Sequence, residues 1–356
     1  MTEAEAPVSP DEVAHAETRL DVPFTVVNLV TTALSCVLPF WFSSASAITA
    51  FAVFYTVTGL GLTLGYHRLF AHRAFRVPLW LERTIAICGY LAIQRGPLFW
   101  VAMHRMHHRH TDIPGRDPHT PKEGWLHVHF GWMQRRRADI WTRDLYHRWV
   151  PDLRVDPFYR WLDSEARDYL AYVGLLLASW TVGGLVGAAG HPSMRFDLRN
   201  AWCFLVWVGL LNRVAVLHAF GLINSVCHTY GSRPYRTHGA DTSVNNAWVA
   251  ALIFGEGWHN NHHAFQTSAA HGLDWWEIDT TYIAIKLMSY IGMASDIKLA
   301  KPEKKSAKVT TNGKSAADIA AATRSTDTAA RVTVPVASVE MPVVADQTAD
   351  LVSNAS

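Results

Sequence analysis

Histidine is the residue that points most directly to chemistry in this chain, because eight of its 19 copies form short clusters beside apolar segments. The clusters hold two, three and three histidines, and a ninth histidine follows the last long apolar run: His67 and His72; His104, His107 and His108; His259, His262 and His263; His228. Neutral imidazole is the commonest protein ligand for iron, copper and zinc. The pattern therefore predicts a site for more than one metal ion at the edge of a membrane.

The spacing inside each cluster determines which imidazoles can share a target. Residues at i, i+3 and i+4 lie on one face of a helix, so each three-histidine cluster is expected to aim its imidazoles at one point. His67 and His72 are five residues apart, which is about 140° around an ideal helix. They can meet only if the helix ends or distorts between them. Asn224, four residues before His228, could hold a water that binds the metal.

Each metal-binding imidazole also needs a fixed partner on its other nitrogen. Four acidic residues near the clusters are candidates for this role: Asp112, Asp117, Asp241 and Glu256. Isolated histidines are expected to be ordinary surface or core residues, namely His15, His147, His191 and His271. The remaining histidines are interpreted as structural or as neighbours of ligands.

The number and type of ligands restrict the metal. Nine imidazoles exceed what one tetrahedral zinc ion needs, and the four scattered cysteines form no thiolate motif. The set suits two six-coordinate ions with an open position. Imidazole is compatible with iron, zinc, copper and nickel, and a neighbouring membrane favours oxidative chemistry on an apolar chain. Iron is therefore the favoured metal, while zinc, copper and nickel stay open from the residues alone.

The composition indicates an integral membrane protein. Hydrophobic residues make up 49% of the 356 residues and charged residues 17%, below the roughly 25% of ordinary chains. Four segments approach the roughly 20 apolar residues that cross a bilayer, at about 23–42, 47–66, 169–190 and 201–223. The shorter apolar run 81–94 is expected to lie in the interface. The predicted fold is all-α, with four transmembrane helices and a helical cytosolic cap that holds the metal site.

Four spans place the loop 67–168 and everything after His228 on one side, so all the clusters can converge. That loop contains 17 lysines and arginines, whereas the opposite linkers contain only Arg195 and Arg199. Basic loops stay in the cytoplasm, so both termini and the site are predicted to be cytosolic, in a cell inner membrane. Residues 1–22 form a cytosolic segment, 23–300 one membrane domain, and 301–356 a disordered tail. The net charge of +2 gives no reason to expect a nucleic-acid partner.

In order and spacing, the clusters resemble the histidine boxes of the membrane-bound fatty acyl desaturases of the stearoyl, carbon-nine type. The pattern H-x4-H, H-x2-H-H, H-x2-H-H spans His67–His72, His104–His108 and His259–His263, and the likeness includes Asn224 with His228. It covers roughly 55–300. The resemblance implies a non-haem di-iron oxidoreductase that uses dioxygen to insert a cis double bond, usually at carbon nine, into a saturated acyl chain on coenzyme A or a membrane lipid. It also implies that nine histidines share two irons.

Two stretches, 94–97 and 272–276, look more like bacterial and cyanobacterial members. In animal members a basic pair after Gly-Trp contacts the coenzyme A phosphates, and Arg136 and Arg137 occupy these positions. A basic stripe against anionic lipid headgroups is the other interpretation. A Thr-Trp pair that lines the animal tunnel is Phe220-Gly221 here. The resemblance further implies a separate electron donor, either ferredoxin-like or a b-type cytochrome with its reductase.

Three alternatives remain open from the residues alone. A hydroxylase or ketolase of the same superfamily would carry the same boxes and act on lipid, alkane or carotenoid. A metal transporter would place its ligands at mid-membrane depth, whereas these clusters lie outside the apolar runs. A structural membrane protein could use zinc to stabilise its cytosolic cap.

Overall fold

The computed structural model describes residues 18–138, 140, 144–190, 192 and 194–301. Regular structure in these ranges is almost entirely helical, which confirms the all-α prediction. The α-helices are α1 (Val22–Val37), α2 (Ala45–Leu60), α3 (Leu79–Tyr90), α4 (Pro97–His110), α5 (Trp125–His129), α6 (Leu145–Trp149), α7 (Pro151–Arg154), α8 (Pro157–Leu162), α9 (Glu165–Ala189), α10 (Leu198–Phe204), α11 (Asn212–Ser225), α12 (Ala247–Leu252), α13 (His259–Ala264) and α14 (Thr280–Tyr290). The predicted tail, except Lys301, and residues 1–17 lie outside the described ranges.

Four helical stretches in the described chain are long and apolar enough to cross a membrane. Numbered as spans 1 to 4, they are Val22–Phe40, Ala45–Ala71, Glu165–Ala189 and Leu198–His228. Spans 2 and 4 each extend beyond the apolar segments predicted from hydropathy, which ended at 66 and 223. The cap covers the polar ends of these two spans, so the residues there need not be apolar. Hydropathy therefore underestimates the length of both helices. The extensions make His67 and His228 part of the spans.

Side-chain caps fix the beginnings of three spans. The side chains of Asp21, Ser44 and Asp197 accept hydrogen bonds from backbone amides in the first turn of spans 1, 2 and 4. Such caps satisfy amides that have no partner inside the helix. Ser44 also donates to Asn200 Oδ1 at 2.7 Å, which ties the short hairpin between spans 1 and 2 to the beginning of span 4.

Span 2 changes from α-helical to π-helical geometry over Gly61–Ala71. In a π-helix the hydrogen bonds join residues five apart, and the His72 amide donates to the His67 carbonyl at 3.1 Å. The two imidazole rings consequently lie only 4.8 Å apart between centroids. The helix distortion that the five-residue spacing required is therefore present. A second π-helical segment, Leu205–Leu211, joins α10 to α11 in span 4.

The apolar run around residue 81 forms α3, which has 12 residues. That length covers about 18 Å, well short of the roughly 30 Å hydrocarbon core, so the expectation that it does not cross the membrane agrees with the structure. The helix packs closely on span 2, because a Cβ atom on Gly61 would lie 2.2 Å from the Gly89 nitrogen.

A small antiparallel sheet was not predicted from the sequence. Strand β1 (Thr18–Leu20), just before span 1, pairs with strand β2 (Arg135–Arg137) of the cap, and Thr18 stands opposite Arg137. The buried carboxylate of Asp21 strengthens this junction by accepting hydrogen bonds from Arg95 at 2.7 Å and Arg136 at 2.9 Å. The beginning of span 1 is thereby fixed to the cap.

Candidate metal centre

The nine clustered histidines converge on two groups of ring nitrogens. Within each group, one ligand atom from every member lies within 4.8 Å of the others. The five-histidine group contains His67, His72, His104, His108 and His262, and the four-histidine group contains His107, His228, His259 and His263. The four-histidine group is wholly buried, whereas three members of the five-histidine group are only partly buried.

Distances between neighbouring Nε2 atoms fit a metal polyhedron. In the five-histidine group they are 2.8 Å for His72 to His104, 3.0 Å for His104 to His108 and 2.9 Å for His108 to His262. In the four-histidine group, the His228 and His259 nitrogens are 3.0 Å apart. An octahedral ion with metal–nitrogen bonds of about 2.1 Å has edges of about 3 Å. The donor sets present therefore fit two metal ions.

Each three-histidine cluster supplies ligands to both groups, so the expectation that a cluster aims at one point is wrong. On α4, His104 and His108 join the five-histidine group and His107 joins the four-histidine group. On α13 the i, i+4 pair joins the four-histidine group, and His262 joins the other. The reason is helical geometry, because positions i+3 and i+4 differ by about 100° around the axis.

All four candidate carboxylates contact a clustered imidazole. In each pair an imidazole Nδ1 lies close to a carboxylate oxygen: 2.6 Å for His67 and Glu256, 2.9 Å for His107 and Asp117, 3.0 Å for His228 and Asp112, and 3.0 Å for His263 and Asp241. A carboxylate at Nδ1 fixes the ring orientation and keeps the proton on that nitrogen. The lone pair is then on Nε2, the atom that faces the other imidazoles.

Burial keeps several of these groups in the form that binds cations. Burial and then the neighbouring imidazoles hold the pKa values of His104, His108 and His259 well below the usual value for histidine. These rings are therefore neutral at pH 7. Burial alone would raise the pKa of Asp117, but His107 and His119 outweigh it and lower that pKa. The carboxylate is thus charged and contributes negative charge close to the four-histidine group.

His271 was expected to be an ordinary surface or core residue, and the structure buries it directly beside the five-histidine group. Its ring centroid lies 4.3 Å from that of His262, and its Nδ1 is 3.4 Å from Glu256 Oε2. His271 occupies a loop outside the helical spacing of the third cluster, so no periodic pattern marked it. His147 is exposed as expected, while His15 and His191 lie outside the described residues.

A cavity lies beside the five-histidine group. His104 and Asn224 line it together with Trp100, Leu217, Phe220 and Gly221. The indole of Trp100 stacks on the imidazole of His104, with ring centroids 5.2 Å apart. An apolar group held against Trp100 would thus lie close to the five-histidine group, as a substrate of an oxidative metal site must.

A second cavity shares Phe99, Met103, Trp132 and Met133 with the first. Its other walls include Thr18, Arg135 and Arg137, so it reaches the strand that precedes span 1. The two predicted headgroup arginines behave differently. Arg137 lines this cavity and donates to the Gly115 carbonyl, whereas Arg136 donates to Asp21 at 2.9 Å and to Glu165 at 2.6 Å.

The helical membrane architecture and the two imidazole groups define a membrane protein with two groups of histidines that could each hold a metal ion. Residues 39–288 match the model of the fatty acid desaturase family, and the chain belongs to that family. It is therefore an oxidoreductase that desaturates fatty acyl chains.

Curated relatives align with most of the chain. An sn-1 stearoyl-lipid 9-desaturase of Anabaena variabilis is 41% identical over 272 residues, covering 75% of this chain and 89% of the relative. The protein of the same name from Synechocystis sp. is 41% identical over 279 residues and 78% of each chain. A chloroplastic palmitoyl-monogalactosyldiacylglycerol delta-7 desaturase of Arabidopsis thaliana is 41% identical over 268 residues, 75% of this chain and 66% of the relative.

Proposed function

We propose that this chain is an oxygen-dependent desaturase that inserts a cis double bond at carbon nine of a saturated acyl chain esterified in a membrane lipid. The observation that carries the proposal is the convergence of nine imidazoles beside a cavity with an aromatic lining. The cyanobacterial relatives are named stearoyl-lipid 9-desaturases, which supports both the carbon-nine position and a lipid carrier instead of coenzyme A.

Two Fe²⁺ ions, one per histidine group, are the proposed cofactor. When bound, they would supply the activation of dioxygen that breaks unactivated C–H bonds. Nine imidazole nitrogens leave coordination positions for oxygen or water, and Asn224, which lines the cavity, would hold a water at one of them. The four carboxylates hold their imidazoles in a fixed tautomer and orientation, and the surrounding burial excludes bulk water.

The chain's own residues position the substrate. The acyl chain would lie against Trp100 and Phe220, next to His104, with its polar end toward Arg135 and Arg137 in the second cavity. This assignment changes the predicted headgroup pair, because Arg136 is engaged with Asp21 and Glu165. A cavity that reaches the beginning of span 1 opens near headgroup depth, which suits a substrate already in the membrane.

The reaction also requires partners that the chain must receive from outside. Removal of two hydrogens from the acyl chain and reduction of dioxygen to two waters consumes two electrons and two protons. We propose a separate ferredoxin-like carrier or b-type cytochrome, with its reductase, as the electron source. The proposed orientation places both termini and the cap in the cytosol of a cell whose inner membrane holds the four spans, so that a soluble donor can reach the cap.

Expression in a host deficient in unsaturated fatty acids tests the proposal. Gas chromatography with mass spectrometry is expected to show carbon-nine unsaturated acyl chains, with dimethyl disulfide adducts locating the double bond. A gain of one oxygen without loss of hydrogen would instead identify a hydroxylase. A pulse of labelled stearate should appear first as saturated lipid and then as unsaturated lipid. Unsaturation that appears first in the coenzyme A pool would contradict the lipid carrier.

A further inference from the structure

His271 belongs to neither histidine group, yet the fold buries it almost completely, at 1% exposure. Its backbone is held at two points. The amide donates to Asp279 Oδ2 at 2.7 Å, and the carbonyl accepts from Asn261 Nδ2 at 2.9 Å. Asp279 Oδ2 also accepts a hydrogen bond from Arg68 Nη1 at 2.9 Å. Because Arg68 belongs to span 2, the loop that carries His271 is anchored to that span. A side chain fixed in this way has a defined position beside the five-histidine group.

The His271 ring connects two members of the five-histidine group. It lies 4.3 Å from the His262 ring and 5.2 Å from the His67 ring, measured between centroids. Its Nδ1 is 3.4 Å from the same Glu256 oxygen that lies 2.6 Å from His67 Nδ1. One buried carboxylate is therefore shared by a ligand candidate and by His271.

His262, the ligand candidate on which His271 packs, has no hydrogen-bond partner for its outer nitrogen among the described residues. Its Nε2 faces the group, 3.1 Å from the His67 Nε2 and 2.9 Å from the His108 Nε2. Its Nδ1 is buried without a hydrogen-bond partner among the described residues, and so is Nε2 of His271. A metal-binding imidazole normally donates its outer N–H to a fixed acceptor. His271 instead packs against the face of the His262 ring, tilted by 32° from its plane, and can hold the orientation of that ring by direct contact.

The four-histidine group shows a similar arrangement. The ring of His119 lies 4.3 Å from that of His107 and is tilted by 31°, compared with 32° for His271 on His262. The carboxylate between them is Asp117, whose oxygens lie 2.9 Å from His107 Nδ1 and 3.8 Å from His119 Nδ1. Each group therefore has one buried imidazole that packs on a ligand candidate and lies near a carboxylate that contacts a ligand candidate of the same group.

We infer that His271 is a positioning residue that orients His262 and couples it to Glu256, so that Glu256 supports two ligands of the same ion. This inference rests on the proposed metal centre. It assigns His271 a role in retaining the ion of the five-histidine group, and it places no chemistry on His271 itself.

Two substitutions separate this role from simple filling of space. His271→Phe keeps a ring of similar size but no polar atom, whereas His271→Gln keeps a donor and an acceptor. Purified protein would be loaded with ⁵⁷Fe and examined for iron content, release of iron to a ferrous chelator and Mössbauer spectrum. His147→Phe is the matched control, because His147 is exposed and remote in sequence from both groups.

His271→Phe is expected to release one of the two irons at least about tenfold faster, in line with other losses of an outer partner. One Mössbauer doublet should change and the other should stay. His271→Gln should fall between His271→Phe and the wild type. If His271→Phe does not fold, the doublets of His271→Gln decide the question. Wild-type release and doublets in both variants would overturn the inference. Wild-type protein that takes up no iron would contradict the proposed function instead.

Discussion

The imidazoles of the two groups differ in which residues contact Nδ1, the ring nitrogen that does not face the other imidazoles. In the four-histidine group three of four members have a carboxylate at Nδ1, namely His107, His228 and His263. In the five-histidine group only His67 has one, and the Nδ1 atoms of His108 and His262 have no partner in the described part of the chain. Since outer partners raise both rigidity and ligand strength, the four-histidine group is expected to bind its ion more tightly.

The ligand assignment predicts a specific loss for each histidine. His107→Ala should remove the ion of the four-histidine group and lower activity at least about a hundredfold, because the chemistry needs both ions. Iron measured by mass spectrometry should fall from two per chain to about one. His72→Ala should have the same effect through the other ion. Full activity in His107→Ala would refute the assignment, and His147→Ala should behave as the wild type.

Two buried histidines outside the ligand sets predict how acid affects the metal-free protein. Burial and then neighbouring cations lower the pKa of His119 to about 3 and that of His271 to about 4, compared with about 6.5 in an unfolded chain. Between the unfolded-state pKa of about 6.5 and the lower folded-state pKa, only the unfolded state takes up the proton. The free energy of unfolding therefore falls as pH falls from 6.5 towards 4. Above pH 6.5 these two groups add no pH dependence.

Thermal unfolding of chelator-treated protein in detergent should therefore show a lower midpoint at pH 5 than at pH 7. The decrease should be smaller in His119→Gln, which removes one of the buried rings whose pKa is lowered. A midpoint that rises on acidification would contradict the direction of these pKa shifts.

At the level of elements, a π-helical segment and two regular helices bring the clusters together. The π-helix in span 2 makes a five-residue spacing equivalent to one turn, so His67 and His72 face the same group. The α4 and α13 helices divide their histidines because i+3 and i+4 point in different directions. A change in the winding of any of these segments would misplace a ligand.

The packing of the π-helical segment on α3 predicts a glycine requirement. Gly61→Ala would place a methyl group 2.2 Å from the Gly89 nitrogen, which is backbone and cannot rotate away. The variant is expected to lose about 1–3 kcal/mol of stability and to bind less iron at the five-histidine group. Gly174→Ala in span 3 is the control, because nothing lies within 4 Å of a Cβ at that position. Thermal midpoints of both variants test the prediction, and equal midpoints would refute it.

At the level of the whole molecule, span 4 is the central helix. About 67% of its apolar window is buried, compared with 28%, 39% and 22% for spans 1 to 3. It contributes Leu217, Phe220 and Asn224 to the cavity and His228 to the four-histidine group. Span 4 therefore links the membrane to the metal centre, while spans 1 and 3 mainly face lipid.

The arrangement of four spans predicts opposite accessibility for two positions. Ala45 is exposed at the beginning of span 2, next to the hairpin that follows span 1, and Arg109 is exposed at the end of α4. In a background with the exposed Cys36 replaced by serine, Ala45→Cys should react with an impermeant maleimide on intact cells. Arg109→Cys should react only after lysis. Labelling of both positions on intact cells would contradict a cytosolic metal centre.

The sequence by itself determined the features that depend on local periodicity. Hydropathy marked four spans and excluded a fifth, helical spacing marked six of the nine converging histidines, and proximity to the clusters suggested all four carboxylates. The five-residue gap between His67 and His72 even required a distorted helix, which the structure contains. These features follow from the chemistry of residues a few positions apart.

Only the tertiary structure decided how the histidines divide between the two groups and which distant residues contact one another. The division into five and four, the burial of His271 beside His262, and the engagement of Arg136 by Asp21 all join distant parts of the chain. The Nε2 atoms of His67 and His262, for example, are 3.1 Å apart across a sequence separation of 195 residues. Such contacts depend on how helices pack against one another, and no local spacing encodes that packing.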